Sequence, residues 1–381
     1  RIGHMSRRLR LLLSALAAVT EHIGLMATAS TSYNEPYNLA RYFASLDFLS
    51  NGRASWNVVT SWLEEEAANF GLEQLPRHGT RYQRANEFID VVTRLWDSWE
   101  DGAAIFDKAR GLFADADKVH HLEYQGEYFR VRGPLNVPRP PQGHPLLVQA
   151  GSSEAGKALA AAWSDMHFVF IHSIAEGLAY REEMNQRLRQ HGRDPVHFKI
   201  IAGVLPVVVN SDEEKAARQQ LNEQLMSDQM AIDLLSSYLR MDLSALPRDQ
   251  PLPPLPDEES FDGIRTALKL IRQYDPRLTL LELGKLLLQS SDSWLLLGSA
   301  EEIAATLTET WQAGAADGFN LMFPLLPGDF DRFVDQVVPL LQRNGVMRDR
   351  YPPGTLREKL GLPAVANRFT APSRPALPPT P

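Results

Sequence analysis

Apolar residues in this chain gather into short continuous runs, separated by stretches in which they recur every three or four positions. Ile23-Gly-Leu-Met-Ala-Thr-Ala-Ser30 is the first run and predicts a strand buried on both faces. Residues 39–49 have helical spacing, and Ser50-Asn-Gly-Arg53 stops them with turn chemistry before a second strand at 54–60. From 82 to 99, Phe88, Val91, Val92, Leu95, Trp96 and Trp99 mark one face of a core-facing helix. Residues 145–150, 167–170, 199–209 and 319–323 read as four further strands, with helical patterns at 179–191 and 301–313. Two stretches read as insertions. Residues 101–143 are strand-poor apart from a hairpin near 123–131, and 211–295 are largely helical around a loop at 245–257 that holds five prolines. Residues 363–381 hold six prolines and read as a disordered tail behind a single domain at 1–362.

Buried strands alternating with helices imply parallel α/β units, either an open doubly wound sheet or a (β/α)8 barrel. No Gly-x-Gly-x-x-Gly follows any of the strands, which counts against a dinucleotide fold. Polar residues instead close several of them: Thr28 and Ser30, Asn57 and Thr60, Ser152 and Ser153. In a barrel those ends meet at one mouth, where active sites are built. The pattern therefore predicts a barrel with six strands in view.

Composition narrows the function. The absence of cysteine removes disulfide scaffolds, thiolate metal sites and cysteine nucleophiles. A net charge of −8, from 39 basic and 47 acidic residues, does not suit a nucleic-acid binder. Met5-Ser-Arg-Arg-Leu-Arg10 and the apolar run behind it have the form of a short export signal or of an amphipathic helix, and the run is too short to span a bilayer. A small-molecule enzyme is the class that remains.

Gly151-Ser152-Ser153 joins a strand to a helix start, where free N–H groups and the helix dipole favour a phosphate; a helix N-cap is the alternative use of either serine. His78 and Tyr82 stand four apart at the start of a helix, so an imidazole and a phenol can reach one ligand or simply pack together. Thr28 and Asn57 end apolar strands and need hydrogen-bond partners, from a ligand or from nearby backbone. His120 and His121 are adjacent and face opposite ways on a strand, and no metal or serine-hydrolase motif occurs.

At these same residues the chain resembles the bacterial-luciferase-like flavin monooxygenases, in the branch of nitrilotriacetate monooxygenase component A. The resemblance rests on Thr20-Glu-His-Ile-Gly-Leu-Met-Ala-Thr-Ala-Ser30, Ala44-Ser-Leu-Asp47, Asn51-Gly-Arg-Ala-Ser-Trp-Asn-Val-Val-Thr-Ser61, Arg81-Tyr-Gln-Arg-Ala-Asn-Glu-Phe88, Gly133-Pro-Leu-Asn136 and Val148-Gln-Ala-Gly-Ser-Ser-Glu-Ala-Gly156. It implies a luciferase-like (β/α)8 TIM barrel, cytoplasmic and homo-oligomeric, that binds FMN as FMNH2. The enzyme would activate O2 and insert one oxygen atom into a small organic substrate at a C–N or C–S centre. It would draw FMNH2 from a separate NAD(P)H:flavin reductase, with no part for nucleic acid or membrane. By position, Thr28, Asn57, His78, Tyr82, Ser152 and Ser153 match the flavin-contacting stretch, with Ser152 at the phosphate; no residue is assigned to proton transfer. The resemblance also makes the segment from Ser14 to Thr20 the helix before the barrel's third strand.

Two departures bear on this. Phe48 stands where relatives commonly have His, and nothing before Leu13 matches the family's first two strands or the flavin-contacting Asp that closes the second. The expectation is thus an N-terminally truncated or altered barrel with about six of eight strands, poorly soluble and weak in flavin binding. The alternative to an active monooxygenase is an impaired remnant or flavin-binding module. A barrel lyase or aldolase is disfavoured because no lysine lies at a strand end beside an acid.

Overall fold

A computed structural model describes residues 9–61, 63–255, 261, 268, 270–289 and 294–370. The chain divides into two compact units. The first runs to His167 and adds Met184–Lys199 and the residues from Arg350 on; the second comprises Phe168–Glu183 and Ile200–Asp349.

The first unit opens with α1 (Leu9–Val19), β1 (Leu25–Ser30), α2 (Pro36–Leu49), β2 (Ala54–Val59), α3 (Glu64–Ala68) and α4 (His78–Asp97). Two small hairpins follow, β3 (Ala104–Asp107) with β4 (Leu112–Ala114) and β5 (Tyr124–Gln125) with β6 (Arg130–Val131). Then come β7 (Leu146–Gln149), α5 (Glu154–Trp163) and the start of β8 (Met166–Val169). Strands β1, β2, β7 and β8 pair in that order, all parallel, with Thr28 beside Asn57 and Asn57 beside Val148. The core lies between this sheet and its helices. Trp56 is fully buried, stacks on Phe43 of α2 at 5.6 Å, and donates its indole N–H to the Ala29 carbonyl at 3.0 Å.

In the second unit the long β9 (Lys199–Val208) pairs in parallel with β10 (Trp294–Gly298) over its last half and with β11 (Gly318–Leu321) over its middle. Helices Asp228–Leu239 and Leu280–Gln289 pack on each other around Ile232, Leu235, Leu283 and Leu287, forming a helical core of their own.

Several expectations change. Seven parallel strands are present among the described residues where the sequence suggested six. Trp294–Gly298 follows a leucine-rich helix, and its own run of leucines reads as more helix until the pairing with β9 is seen. Strand β1 is buried on one face only: Ala27 and Ala29 are buried while Met26 is 45% exposed, so the strand alternates with period two. Among the described residues β1 pairs with β2 alone. Closure requires partners on both sides of every strand, so no closed barrel forms among them. The insertion at 101–143 carries two hairpins rather than one. The expected tail is docked as far as residue 370. Asn367 is buried and donates to the Asp97 and Trp99 carbonyls, and Phe369 stacks on His120; residues 371–381 lie outside the described set. No helix among the described residues is long and apolar enough to cross a membrane.

The turn from α2 into β2 sets the N-terminal end of the sheet. Asn51 and Gly52 take φ of 52° and 78°, and the reversal brings Arg53 back under α1. All five guanidinium N–H groups of Arg53 are used: on the carbonyls of Ser50, Ile23, Ala17 and Thr20 and on the Thr20 hydroxyl. One residue thus closes the C-terminal turn of α1 and fixes the entry to β1. Beside it the fully buried Asp47 accepts the backbone N–H groups of Ala54 and Gln142 and the Gln142 side-chain amide at 2.6–3.1 Å. Burial outweighs those hydrogen bonds and pushes the Asp47 carboxyl from 3.8 up to about 6.

Because the folded carboxyl holds its proton more tightly than the unfolded one, its stabilising contribution is complete below 3.8 and is lost as pH rises through about 6. Denaturant melts of the native chain and of Asp47→Asn, compared across this window, should show the native advantage shrinking by ~3 kcal/mol as pH rises. A difference that stays flat with pH would show that Asp47 ionises normally.

Candidate functional site

The alternation of β2 decides which side chains reach the site. Ala54, Trp56 and Val58 are buried, which turns Asn57 to the opposite face beside Thr28 of β1. Asn57 Nδ2 donates to Thr28 Oγ1 at 3.0 Å. The other amide atom, Oδ1, is buried and accepts no hydrogen bond. An orphaned buried acceptor costs about 1–3 kcal/mol, and a ligand N–H is the kind of group that would relieve it.

A second cluster forms where α4 and α5 begin. His78 and Tyr82 occupy one face of α4, with ring centroids 4.7 Å apart and planes tilted by 41°. The helix starts at His78 itself, four residues ahead of the boundary read from apolar spacing. His78 Nε2 lies 3.4 Å from Ser153 Oγ. Ser153 is the N-cap of α5, its hydroxyl accepting the Gly156 N–H at 3.2 Å. Ser152, one residue earlier, is exposed, so its hydroxyl is the one set ahead of the helix N-terminus. The N-cap alternative therefore applies to Ser153 and not to Ser152.

All six predicted residues lie at the C-terminal ends of β1, β2 and β7 or on the helices that follow. They form two groups, Thr28 with Asn57, and His78, Tyr82 and Ser153 with Ser152 adjoining. Sequence reading missed the residues that shape the loop. Gln149, the last of β7, is 3% exposed and accepts the Gly151 N–H on its Oε1 at 2.6 Å. A Cβ on Gly151 would lie 2.7 Å from Gln149 Nε2 and 2.8 Å from Tyr82 Oη, and a Cβ on Gly156 would lie 2.4 Å from the Gly151 carbonyl oxygen. The signal was present in the sequence: a polar amide ending an apolar strand, then two glycines five apart.

Behind the site, Arg84 donates to the Thr31 carbonyl and lies over the Phe129 ring at 4.5 Å. Glu87 accepts three successive backbone N–H groups, those of Glu127, Tyr128 and Phe129, which ties the β5–β6 hairpin to α4. His120 and His121 sit elsewhere, on Glu100 Oε1 and the Gly133 carbonyl, and no group of three metal-ligating side chains occurs among the described residues. A hollow of about 390 Å³ beside Phe48, Asp101, Phe106 and Arg139 holds none of the predicted residues. Its guanidinium is already bound by Asp97, Asp101 and the Val365 carbonyl.

The glycine geometry makes a prediction about stability. Gly156→Ala drives a methyl group into rigid backbone and should cost about 1–3 kcal/mol in thermal or denaturant unfolding. Gly79→Ala, with open space around it on α4, should be neutral or slightly stabilising. Equal effects at the two positions would show that the Gly151–Gly156 approach is not tight.

Residues 4–317 match the luciferase-like monooxygenase family. N-acetyl-S-(2-succino)cysteine monooxygenase of Bacillus subtilis (strain 168) is 45% identical over 94% of this chain and 82% of its own length. Nitrilotriacetate monooxygenase component A of Aminobacter aminovorans is 43% identical over 95% of this chain and 80% of its own. The crystal structure of a riboflavin lyase with modified FMN and its substrate riboflavin superposes with a TM-score of 0.83. It is 30% identical and covers 93% of this chain and 78% of that one. With most of the chain matched and relatives this similar along most of their length, the chain belongs to the luciferase-like monooxygenases, a family of flavin-dependent enzymes.

Proposed function

We propose that the strand ends of β1, β2 and β7 hold FMN in its reduced form, as part of a (β/α)8-type site. On this reading one O2 oxygen is inserted into a small organic substrate at a C–S or C–N centre and the other leaves as water. Bound FMNH2 supplies the two electrons the reaction needs. The chain's own residues bind and orient. Ser152 and the N-terminus of α5 take the phosphate, and Asn57 Oδ1 and the Thr28 hydroxyl meet polar edges of the ring system. Tyr82 and His78 flank it, with His78 held from behind by Ser153 Oγ. The observation that carries this reading is the buried, unpartnered Asn57 Oδ1, set beside Thr28 at the same strand ends as the Gly-Ser-Ser turn. The curated relatives support the substrate class, being named for sulfur- and nitrogen-containing compounds, and one is named as a component, which supports a separate NAD(P)H:flavin reductase as the source of FMNH2.

The test is oxygen uptake and product analysis with FMN, NADH, a flavin reductase and candidate thioethers and amines. Oxygenated product is expected. FMN binding without product would instead support a flavin-binding module, and absence of both would overturn the reading. Ser152→Ala should weaken FMN about tenfold or more, the scale of a charge-assisted hydrogen bond, and leave riboflavin almost unchanged. Tyr82→Phe and His78→Ala should lower flavin affinity or turnover while the melting temperature holds.

A further inference from the structure

Gln149 occupies a position where a polar side chain is costly. It ends β7 between Val58 of β2 and His167 of β8, is almost fully buried, and follows three apolar residues. A primary amide buried there is costly unless it is hydrogen-bonded. Its Oε1 takes the N–H of Gly151, two residues on, at 2.6 Å. Its Nε2 lies against the open face of Gly151, 2.7 Å from where a Cβ would stand, with Tyr82 Oη 2.8 Å from the same point. The chain leaving β7 is therefore bent around one side chain, and the Gly151 N–H is consumed internally. The hydroxyl of Ser152 and the N-terminus of α5 come next in the chain, with Ser153 engaged as the cap.

We propose that Gln149 is a positioning residue for phosphate recognition: by binding Gly151 from beneath, it sets the turn that presents Ser152 and the α5 N-terminus to the anion. This rests on the reading of 151–153 as the phosphate loop. It adds that the loop's anion affinity is set by a residue that does not touch the ligand. Gln149→Leu keeps the side chain's approximate volume but leaves the Gly151 N–H unpaired and free to turn outward. Gln149→Glu keeps an acceptor for Gly151 but adds a negative charge under the anion.

FMN and riboflavin affinities, followed by fluorescence quenching on the full chain, separate this role from a merely structural one. Gln149→Leu should lose roughly tenfold in FMN affinity, with riboflavin affinity little changed. Gln149→Glu should bind riboflavin normally and FMN poorly, with recovery as pH is lowered and the carboxyl takes up a proton. This second variant also carries the test if the leucine variant does not fold. Equal losses for both ligands in Gln149→Leu, or a Gln149→Glu protein whose FMN affinity matches the native chain at every pH, would overturn the proposal. Ser152→Ala separates the two readings. If it lowers FMN affinity alone while both Gln149 variants behave as native, the phosphate reading stands and the role of Gln149 falls. If Ser152→Ala leaves the FMN preference intact, the phosphate reading itself fails and this inference falls with it.

Discussion

The burial of Trp56 is the constraint on which the site depends. A strand has two faces and a period of two, so once the indole is driven under α2 and α4, Asn57 has no choice of side. The indole N–H on the Ala29 carbonyl locks the same choice across the β1–β2 pair. Truncating a fully buried Trp typically costs about 3–5 kcal/mol, far more than the orphaned Asn57 oxygen costs. The fold can therefore sustain an unsatisfied acceptor at the strand ends, because the opposite face of the same strand more than offsets it.

The two ends of the sheet carry polar groups for opposite purposes. At the N-terminal end, Asp47 and Arg53 are saturated: every guanidinium N–H has an acceptor, and the Asp47 carboxylate receives three donors. At the C-terminal end the groups are left incomplete or exposed, Asn57 Oδ1 and the Ser152 hydroxyl among them. Saturation gives a single rigid turn, whereas incompleteness leaves bonding capacity for something else. This capacity at the C-terminal end is what the proposed flavin site would use.

Much of this was legible in the sequence, and what was not has physical causes. The apolar runs located six of the seven parallel strands among the described residues, and strand–Gly-Ser-Ser–helix is a local pattern whose consequence is also local. Trp294–Gly298 was lost because a leucine run after a leucine-rich helix has no periodicity of its own to distinguish it. The one-sided exposure of β1 could not be read because Ala27 and Ala29 are apolar next to an equally apolar Met26, and only pairing shows which is covered. Gln149 shows in the sequence only as a polar amide ending an apolar strand; that its partner is the Gly151 N–H is a backbone contact, which leaves no mark of its own. Proline content made 363–370 look unstructured, yet Asn367 and Arg368 are fixed by Asp97, some 270 residues away in the chain.

That last attachment has a bearing on how the protein is made. Asp97 closes α4 and is buried against His144, Arg139 and Arg368; burial alone would raise its carboxyl, but the His144 ring and the Arg139 guanidinium beside it hold it well below the usual range. Asp165, at the start of β8, is likewise matched by a bidentate Arg357 at 2.8–2.9 Å across 192 residues of chain. Neither carboxylate has its full set of partners until Arg357 and Arg368 have left the ribosome. Chains emerge at about 5–20 residues per second, so the first unit waits on the order of ten seconds or more with two charges short of their counter-ions. Residues 355–369 can dock only after the intervening second unit has been made, so the first unit cannot be finished before the second is synthesised.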